Sequence, residues 1–213
     1  MIRVILNVKT NNYELRKTSS TVGNSQADKA ASHERIVKTA SRRMRRDGID
    51  SVSVAELMNE AGLTHGGFYR HFGSRDDLVA EAIDTALAHG SERIQAAAKL
   101  GGPAALAAII DGYLSPLHRD KPETGCAVAA LPSDIARTNP RARTAYSRQV
   151  RSYLDLLAEL APARDPDEGH LILAALVGAL VLARAVDDRR LSDEILESAA
   201  RALHRHLDDA PGL

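Results

Sequence analysis

Apolar residues recur at helical spacing through most of this chain, and no alternating pattern recurs that would mark strands. The first stripe is Ile36, Val37, Ala40 and Met44, with order expected to begin near Ser32 and Gly48 supplying a stop. Ser53-Val-Ala-Glu56 has the S-x-x-E form of a capping box, which predicts a short helix from Val54 that turns Val54, Leu57, Met58 and Ala61 inward and ends at Gly62. A third helix is expected from Thr64 to about Phe72. Ser74, Asp76 and Asp77 open the next, whose inner stripe is Leu78, Ala82, Ile83, Ala86 and Leu87. Gly101-Gly102-Pro103 breaks it, and the following helix carries Leu106, Ile109, Ile110, Tyr113, Leu114 and Leu117. His118 to Gly125 reads as a loop, and Cys126 to Arg137 as a short helix irregular around Pro132. Asn139-Pro140 starts a helix that runs to about Leu160, before the linker APARDPDEG. His170 to Val186 is then apolar on nearly every face, and Ser192 to Leu207 is amphipathic. The pattern predicts an all-α protein of about nine helices.

Composition narrows the picture. Apolar residues are 44% of 213, but aromatics are only 3% and Trp is absent, so the core must be built from Leu, Ile, Val and Ala. A single cysteine, Cys126, excludes a disulfide scaffold. The longest uncharged apolar run, Leu171 to Ala183, is thirteen residues and too short to span a bilayer. The opening MIRVILNVKTNN lacks the apolar stretch and cleavage site of a signal peptide, which points to a cytoplasmic protein without a membrane partner. MIRVILNV has the look of a short strand with nothing nearby to pair with, and residues 1–28 read as a flexible arm.

Zero net charge hides an uneven distribution. Residues 29–75 hold nine Lys and Arg against five acids, whereas residues 76–213 hold fifteen against twenty-one. The density peaks at Arg42, Arg43, Arg45 and Arg46, which suggests an anionic partner for the first part alone, or simply a solvated helix face. Residues 53–72, SVAELMNEAGLTHGGFYRHF, have the spacing of a helix-turn-helix, whose second helix enters the DNA major groove. Ala61 lets two helices cross closely, Gly62 can take the left-handed conformation that ends the first, and Leu63 plugs the turn into the core with Leu57 and Ile36. Thr64 is placed to cap the recognition helix. Gly66 and Gly67 each cost a helix about 1 kcal/mol relative to Ala, for which there are two explanations: close packing, or close approach of backbone to DNA. Phe68 and Phe72, four apart and the only two Phe residues, read as core anchors.

These residues together resemble the DNA-binding domain of TetR-family transcriptional regulators. The family pattern of a Gly, a capped short helix, A-G-(V/L)-(S/T), then Y-x-H-F and (K/R)-x-x-L is met by Gly48, Ser53, Ala61-Gly62-Leu63-Thr64, Tyr69-Arg70-His71-Phe72 and Arg75-Asp76-Asp77-Leu78. Leu57-Met58 stands where Ile-Ala is usual, and Arg75 where Lys is usual; both keep the chemistry. The resemblance implies a helix-turn-helix domain over residues 29–74 and a ligand-binding and dimerisation domain over residues 75–213. It further implies a homodimer that represses transcription at a palindromic double-stranded operator until an unidentified small molecule enters it. No catalytic residue, metal or cofactor is implied. By the same resemblance, Ser53, Tyr69 and His71 hold phosphates while Thr64, His65 and Gly66 face base edges. Arg42, Arg43 and Arg46 add salt-dependent affinity.

The remaining candidates concern the C-terminal part. Leu87, Ile109, Tyr113, Cys126, Tyr146 and Leu173 lie on inward stripes that the family arranges around an apolar cavity, with Cys126 either inert packing or a reactive, ligand-proximal thiol. Leu171, Leu173, Leu176, Val177, Leu180 and Val181 cover too many faces for one-sided packing; with Leu196 and Leu203 they are expected to form a four-helix dimer interface, Gly178 permitting close approach. His204 and His206, two apart, point away from each other and do not chelate, and no G-x-S-x-G, H-E-x-x-H or P-loop occurs, so an enzyme is the weaker class. A helical scaffold using its helix-turn-helix for protein contacts is a third class, separated from a DNA binder by salt dependence.

Overall fold

The computed structural model describes residues 26–160 and 166–208. These form ten α-helices and two 3-10 helices, with no strand among the described residues. The chain opens with α1 (Gln26–Asp47), six residues earlier than Ser32, because the polar turn before it continues the same helix. Then come α2 (Val54–Glu60), a 3-10 helix over His65–Arg70, and α3 (Arg75–Ala98). The C-terminal body continues with α4 (Gly102–Tyr113), α5 (Pro116–Asp120), a 3-10 turn (Pro122–Thr124), α6 (Ala127–Ala130) and α7 (Pro132–Arg137). Three long helices finish it: α8 (Pro140–Leu160), α9 (Pro166–Ala185) and α10 (Arg189–Asp208). The strand-like MIRVILNV, most of the arm over residues 1–28 and much of the APARDPDEG linker lie outside the described residues.

Two expectations are corrected in the middle of the chain. His118 to Gly125, expected as a loop, is instead largely helical: its first three residues end α5, which Ser115 caps by accepting from the His118 amide at 3.2 Å and Pro116 opens, and Pro122–Thr124 form a 3-10 turn. Leu117, expected on α4, therefore lies on α5 and points outward. Pro132 splits the expected single helix into α6 and α7, because proline has no amide to continue the α6 ladder.

α3 is the spine. It packs against α1 on one side and against α4, α6 and α8 further along. One apolar core runs without interruption from Ile36 in α1 through Leu78, Ile83 and Ile110 to Leu180 and Leu203. α9, although long and apolar enough by composition to cross a bilayer, packs against α10, α8, α6 and α5 here. Its Ile172, Leu176, Leu180 and Ala183 enter the core. An ion-pair network centred on the buried Arg119 joins α5 to α10: its guanidinium reaches Asp120, Ser192 and Asp193, and the exposed Arg189 holds the Asp120 carboxylate from the other side. Hydrogen bonds from Arg119 and then Arg189 hold the Asp120 carboxyl well below the usual carboxylate range.

Candidate nucleic-acid interface

The turn out of α1 is built by Gly48, whose φ of +87° only glycine adopts cheaply; its amide closes on the Met44 carbonyl at 2.9 Å. The Asp134 carboxylate of α7 accepts from the Ile49 amide at 3.0 Å, and Arg75 donates to the Ile49 carbonyl at 2.9 Å. Ser53 then caps α2 by accepting from the Glu56 amide at 3.2 Å. The capping box is only half made, because the Glu56 carboxylate turns to Arg43 at 2.9 Å instead of back to Ser53. After Ala61, Gly62 takes φ +74° and the Leu63 amide returns to the Met58 carbonyl at 2.8 Å, closing the turn.

The recognition element is a 3-10 helix where an α-helix was expected, its amides closing on carbonyls three residues back, as Gly67 does on Thr64 at 2.9 Å. Two adjacent glycines and six residues of length leave too little propensity to enforce α winding. Thr64 occupies the N-cap position, but its side chain makes no cap bond, so its hydroxyl remains available to an outside partner. A Cβ at Gly66 meets nothing within 4 Å, and at Gly67 only the Met58 methyl at 3.5 Å and the Thr64 hydroxyl at 3.7 Å. Intramolecular crowding therefore does not account for Gly66. Phe68 and Phe72 are buried with ring centroids 5.4 Å apart, anchoring the element, while Tyr69 is 76% exposed and projects away from it. Ser53, Thr64, His65 and Gly66 are exposed as well.

His71 behaves differently from its exposed neighbours. It is half-buried, and its Nδ1 is enclosed without a partner among the described residues, leaving Nε2 as the nitrogen able to face outward. Burial, with help from His33, Lys29 and Arg70, pushes its pKa down, so the ring is neutral near pH 7. His33 lies 6.0 Å away, stacks on Phe72 at 4.5 Å, and meets Glu81 at 2.7 Å, tying α1 to α3 beneath the recognition element.

The arginines of α1 do not form one DNA-facing set. Arg43 is drawn inward by Glu56 at 2.9 Å, Glu60 at 3.7 Å and Asp47 at 3.9 Å, so it braces α2 against α1. Arg46 is taken by Asp47 through two bonds at 2.8 and 2.9 Å, and it borders a cleft shared with Arg119, Arg184 and Arg189 of the C-terminal body. Arg42 is exposed and makes no ion pair among the described residues. Arg45, which the sequence lumps with the others, is buried and donates to the Ala86 carbonyl at 3.1 Å. The only signal that sets it apart is its position three and four residues from Arg42 and Ser41, on the stripe that continues through Met44.

The C-terminal body closes more tightly than its sequence implies. Ile109, Tyr113 and Cys126 do line a common cavity, with Gly90, Arg93, Ile94, Ala97 and His118, but its volume is about 70 Å³. That is below the few hundred Å³ of a drug-sized site. Leu87 and Leu173 are buried in the core and do not border it. Tyr146 is also elsewhere, donating to the Val128 carbonyl at 2.8 Å, and burial raises its hydroxyl to about 12. Beneath the cavity His118 takes a hydrogen bond from the Cys126 amide on Nε2 at 2.9 Å and gives one to the Tyr113 carbonyl from Nδ1 at 2.7 Å. Cys126 is buried, with its sulfur 3.8 Å from the Tyr153 hydroxyl.

The expected dimer residues divide. Leu176, Leu180, Leu196 and Leu203 are buried within the subunit, because α9 and α10 pack on each other along that line. Leu171 is 56% exposed, and Val177 and Val181 are half-buried. Leu182 and Leu191, which the sequence did not single out, join Leu171 on the outer surface. His204 and His206 engage different carboxylates, Asp111 at 2.7 Å and Glu168 at 2.6 Å.

Comparison with known proteins agrees with this architecture. Residues 36–82 match the family described as bacterial regulatory proteins, tetR family. An uncharacterized HTH-type transcriptional regulator of Mycobacterium tuberculosis (strain CDC 1551 / Oshkosh) is 30% identical over 167 residues, covering 73% of this chain and 85% of that one. Among solved structures, a TetR transcriptional regulator from Chloroflexus aurantiacus superposes with a TM-score of 0.72 at 23% identity, covering 86% of this chain and 97% of the other. The reduced form of E. coli NemR superposes with a TM-score of 0.71 at 18% identity, covering 82% and 96%. Profile, relative and fold converge on one conclusion: the chain is a transcriptional regulator of the TetR family.

Proposed function

We propose that this regulator is a ligand-responsive repressor that binds a palindromic operator as a homodimer in the cytoplasm and leaves it when a small molecule occupies the C-terminal body. The observation that carries the DNA-binding part is the recognition element, where Tyr69 projects outward beside the free Thr64 hydroxyl while Phe68 and Phe72 fix the same turn to the core. Selection of bound sequences from random duplex DNA by the full-length protein tests it. Enrichment of a two-fold symmetric site supports the reading, and absence of any enriched sequence overturns it.

Residue roles follow from position. Thr64 and His65 open the recognition element, where helix-turn-helix proteins reach base edges, and Gly66 lets the backbone approach. Ser53, Tyr69 and the Nε2 of His71 are placed for phosphates, which hold register without reading sequence. Arg42 adds charge; Arg43 and Arg46, being paired, contribute less than an unpaired arginine. Tyr69→Phe is expected to weaken operator and random duplexes alike, by about 0.5–1.5 kcal/mol for one hydrogen bond. His65→Ala is expected to cost about 1–3 kcal/mol on the operator and little on random DNA. Titration of both duplexes at one salt concentration checks this, and equal weakening by His65→Ala defeats the assignment.

The dimer reading rests on the outer faces of α9 and α10. Leu171, Leu182 and Leu191 are 56, 58 and 43% exposed, with Gly178 and Val181 half-buried between the first two. Exposed leucines on the two last helices suit an association site, and two such helix pairs would form a four-helix bundle. Leu182→Glu is expected to shift the protein from dimer to monomer at micromolar concentration, read by sedimentation; an unchanged mass places the interface elsewhere.

A further inference from the structure

The small cavity beside Cys126 combines a waiting donor with a one-signed electrostatic environment. Tyr113 is 5% exposed and lines the cavity, yet no nitrogen or oxygen partner meets its hydroxyl among the described residues, the neighbouring Cys126 thiol being only a weak acceptor. A buried hydroxyl left unpaired costs about 1–3 kcal/mol, so its retention asks for an acceptor that arrives from outside. Ile94, Ala97, Ala108 and Ile109 make one part of the wall apolar, while His118, Thr124 and Cys126 border the other. No Asp or Glu borders the space; the one charged lining residue is Arg93, exposed and forming no ion pair among the described residues. Behind Gly125, where an added Cβ would lie 3.0 Å from Arg184 Nη2, a second guanidinium adds to the positive field.

We infer that this cavity takes the anion of a short-chain monocarboxylic acid, its carboxylate accepting from the Tyr113 hydroxyl and its hydrocarbon tail lying against Ile94, Ala97, Ala108 and Ile109. The inference rests on the ligand-responsive reading given above and names the chemistry of that site. Size sets the chain length, since about 70 Å³ is several times the roughly 10–15 Å³ that one water needs in a cavity and well below a drug-sized site, room for an acid about the size of butyrate. Charge sets the head group: Arg93 lines the space and Arg184 lies behind Gly125 with no carboxylate bordering it, a field that favours an anion, while burial first and then these two guanidiniums disfavour protonation of His118 at the wall. Burial keeps the Tyr113 hydroxyl protonated and therefore a donor. Arg93 sits at the rim on a long flexible stem, able to fold over the carboxylate once it is seated.

Calorimetric titration of the full-length protein with sodium butyrate, and in parallel with uncharged butyramide of nearly the same shape, tests the assignment at fixed ionic strength. Butyrate is expected to bind saturably and at least tenfold more tightly than butyramide. Tyr113→Phe, which keeps the ring and removes only the unpaired hydroxyl, is expected to weaken butyrate about tenfold or more. Arg93→Gln, at an exposed position that the fold does not need, is expected to weaken it severalfold. Equal affinity for the two compounds, butyrate binding unaffected by Tyr113→Phe, or no saturable binding because water alone fills the space, each overturns the proposal. Selection of DNA sites is measured separately without acid. A protein that selects an operator but ignores butyrate loses this proposal and keeps the transcriptional reading, and one that binds butyrate but selects no DNA does the reverse.

Discussion

Phe68→Ala is expected to lower the free energy of unfolding by about 3–5 kcal/mol, a large share of the 5–15 kcal/mol typical of a folded protein. Phe68 is 2% exposed and contacts Phe72 and the edge of Tyr69 at centroid distances of 5.4 and 5.3 Å. In a 3-10 turn of six residues the backbone supplies little stability of its own, so the two Phe rings do what helix length does elsewhere. Removing the first leaves a cavity between α2, α1 and the recognition turn that two glycines beside it make no attempt to fill. Operator affinity should fall even under conditions where the protein remains folded, because Thr64, His65 and Tyr69 then lose their fixed platform. The neighbouring Tyr69→Ala is the control. Its side chain is 76% exposed, so stability should change by no more than about 0.5 kcal/mol, as for surface substitutions generally. Urea unfolding of the three proteins checks this, and comparable losses for Phe68→Ala and Tyr69→Ala would contradict the described packing.

Acidification is expected to destabilise the C-terminal body through His118. Burial lowers its pKa from 6.5 to about 4, outweighing its hydrogen bond to the Tyr113 carbonyl, with Arg184 and Arg93 pushing in the same direction as burial. The geometry explains the direction, since Nε2 must stay unprotonated to accept the Cys126 amide. The unfolded chain therefore binds a proton that the folded one refuses between about pH 6.5 and pH 4. Stability from this group is complete above about pH 6.5 and is lost as the pH falls through that window, on the order of 3 kcal/mol in all. His118→Gln removes the titration. The stability difference between wild type and His118→Gln should shrink by about 2 kcal/mol between pH 7.5 and pH 5. A difference that stays constant would mean that His118 is protonated without penalty.

The helices themselves were legible because apolar stripes and punctuation agree: Ser53, Gly62, Ser74 and Pro140 each mark a boundary that the fold respects. The recognition element was legible as a site but not as a 3-10 helix, because its winding is decided by two buried rings and not by local propensity. Arg43, Arg45 and Arg46 read alike in one basic run, yet one braces α2, one is buried beneath α3 and one borders the C-terminal body. Their fates depend on Glu56, Ala86 and Asp47, and the first two partners are set by tertiary contact. Similarly, α9 is apolar all round, so periodicity alone gave no means of telling the core-facing Leu176 and Leu180 from the outward Leu171 and Leu182. The cavity's size depends on how closely α3, α4 and the Cys126 segment approach, which no single-helix pattern encodes.

The residues matched to the family end near position 82, which invites treating the DNA reader as a portable cassette for building chimaeric regulators. Ile49, the residue after Gly48, argues against that. Its amide is held from α7, 85 residues downstream, and its carbonyl from Arg75 within the cassette. Gly48 is confined twice, by its φ of +87° and by the Asp134 oxygen 3.1 Å from where a Cβ would be. Transplanting residues 26–98 onto another family member's body would carry over the turn and leave its acceptor behind. A functional chimaera of this protein has to import an aspartate at the position of Asp134, or the turn that aims α2 and the recognition element loses one of its two supports.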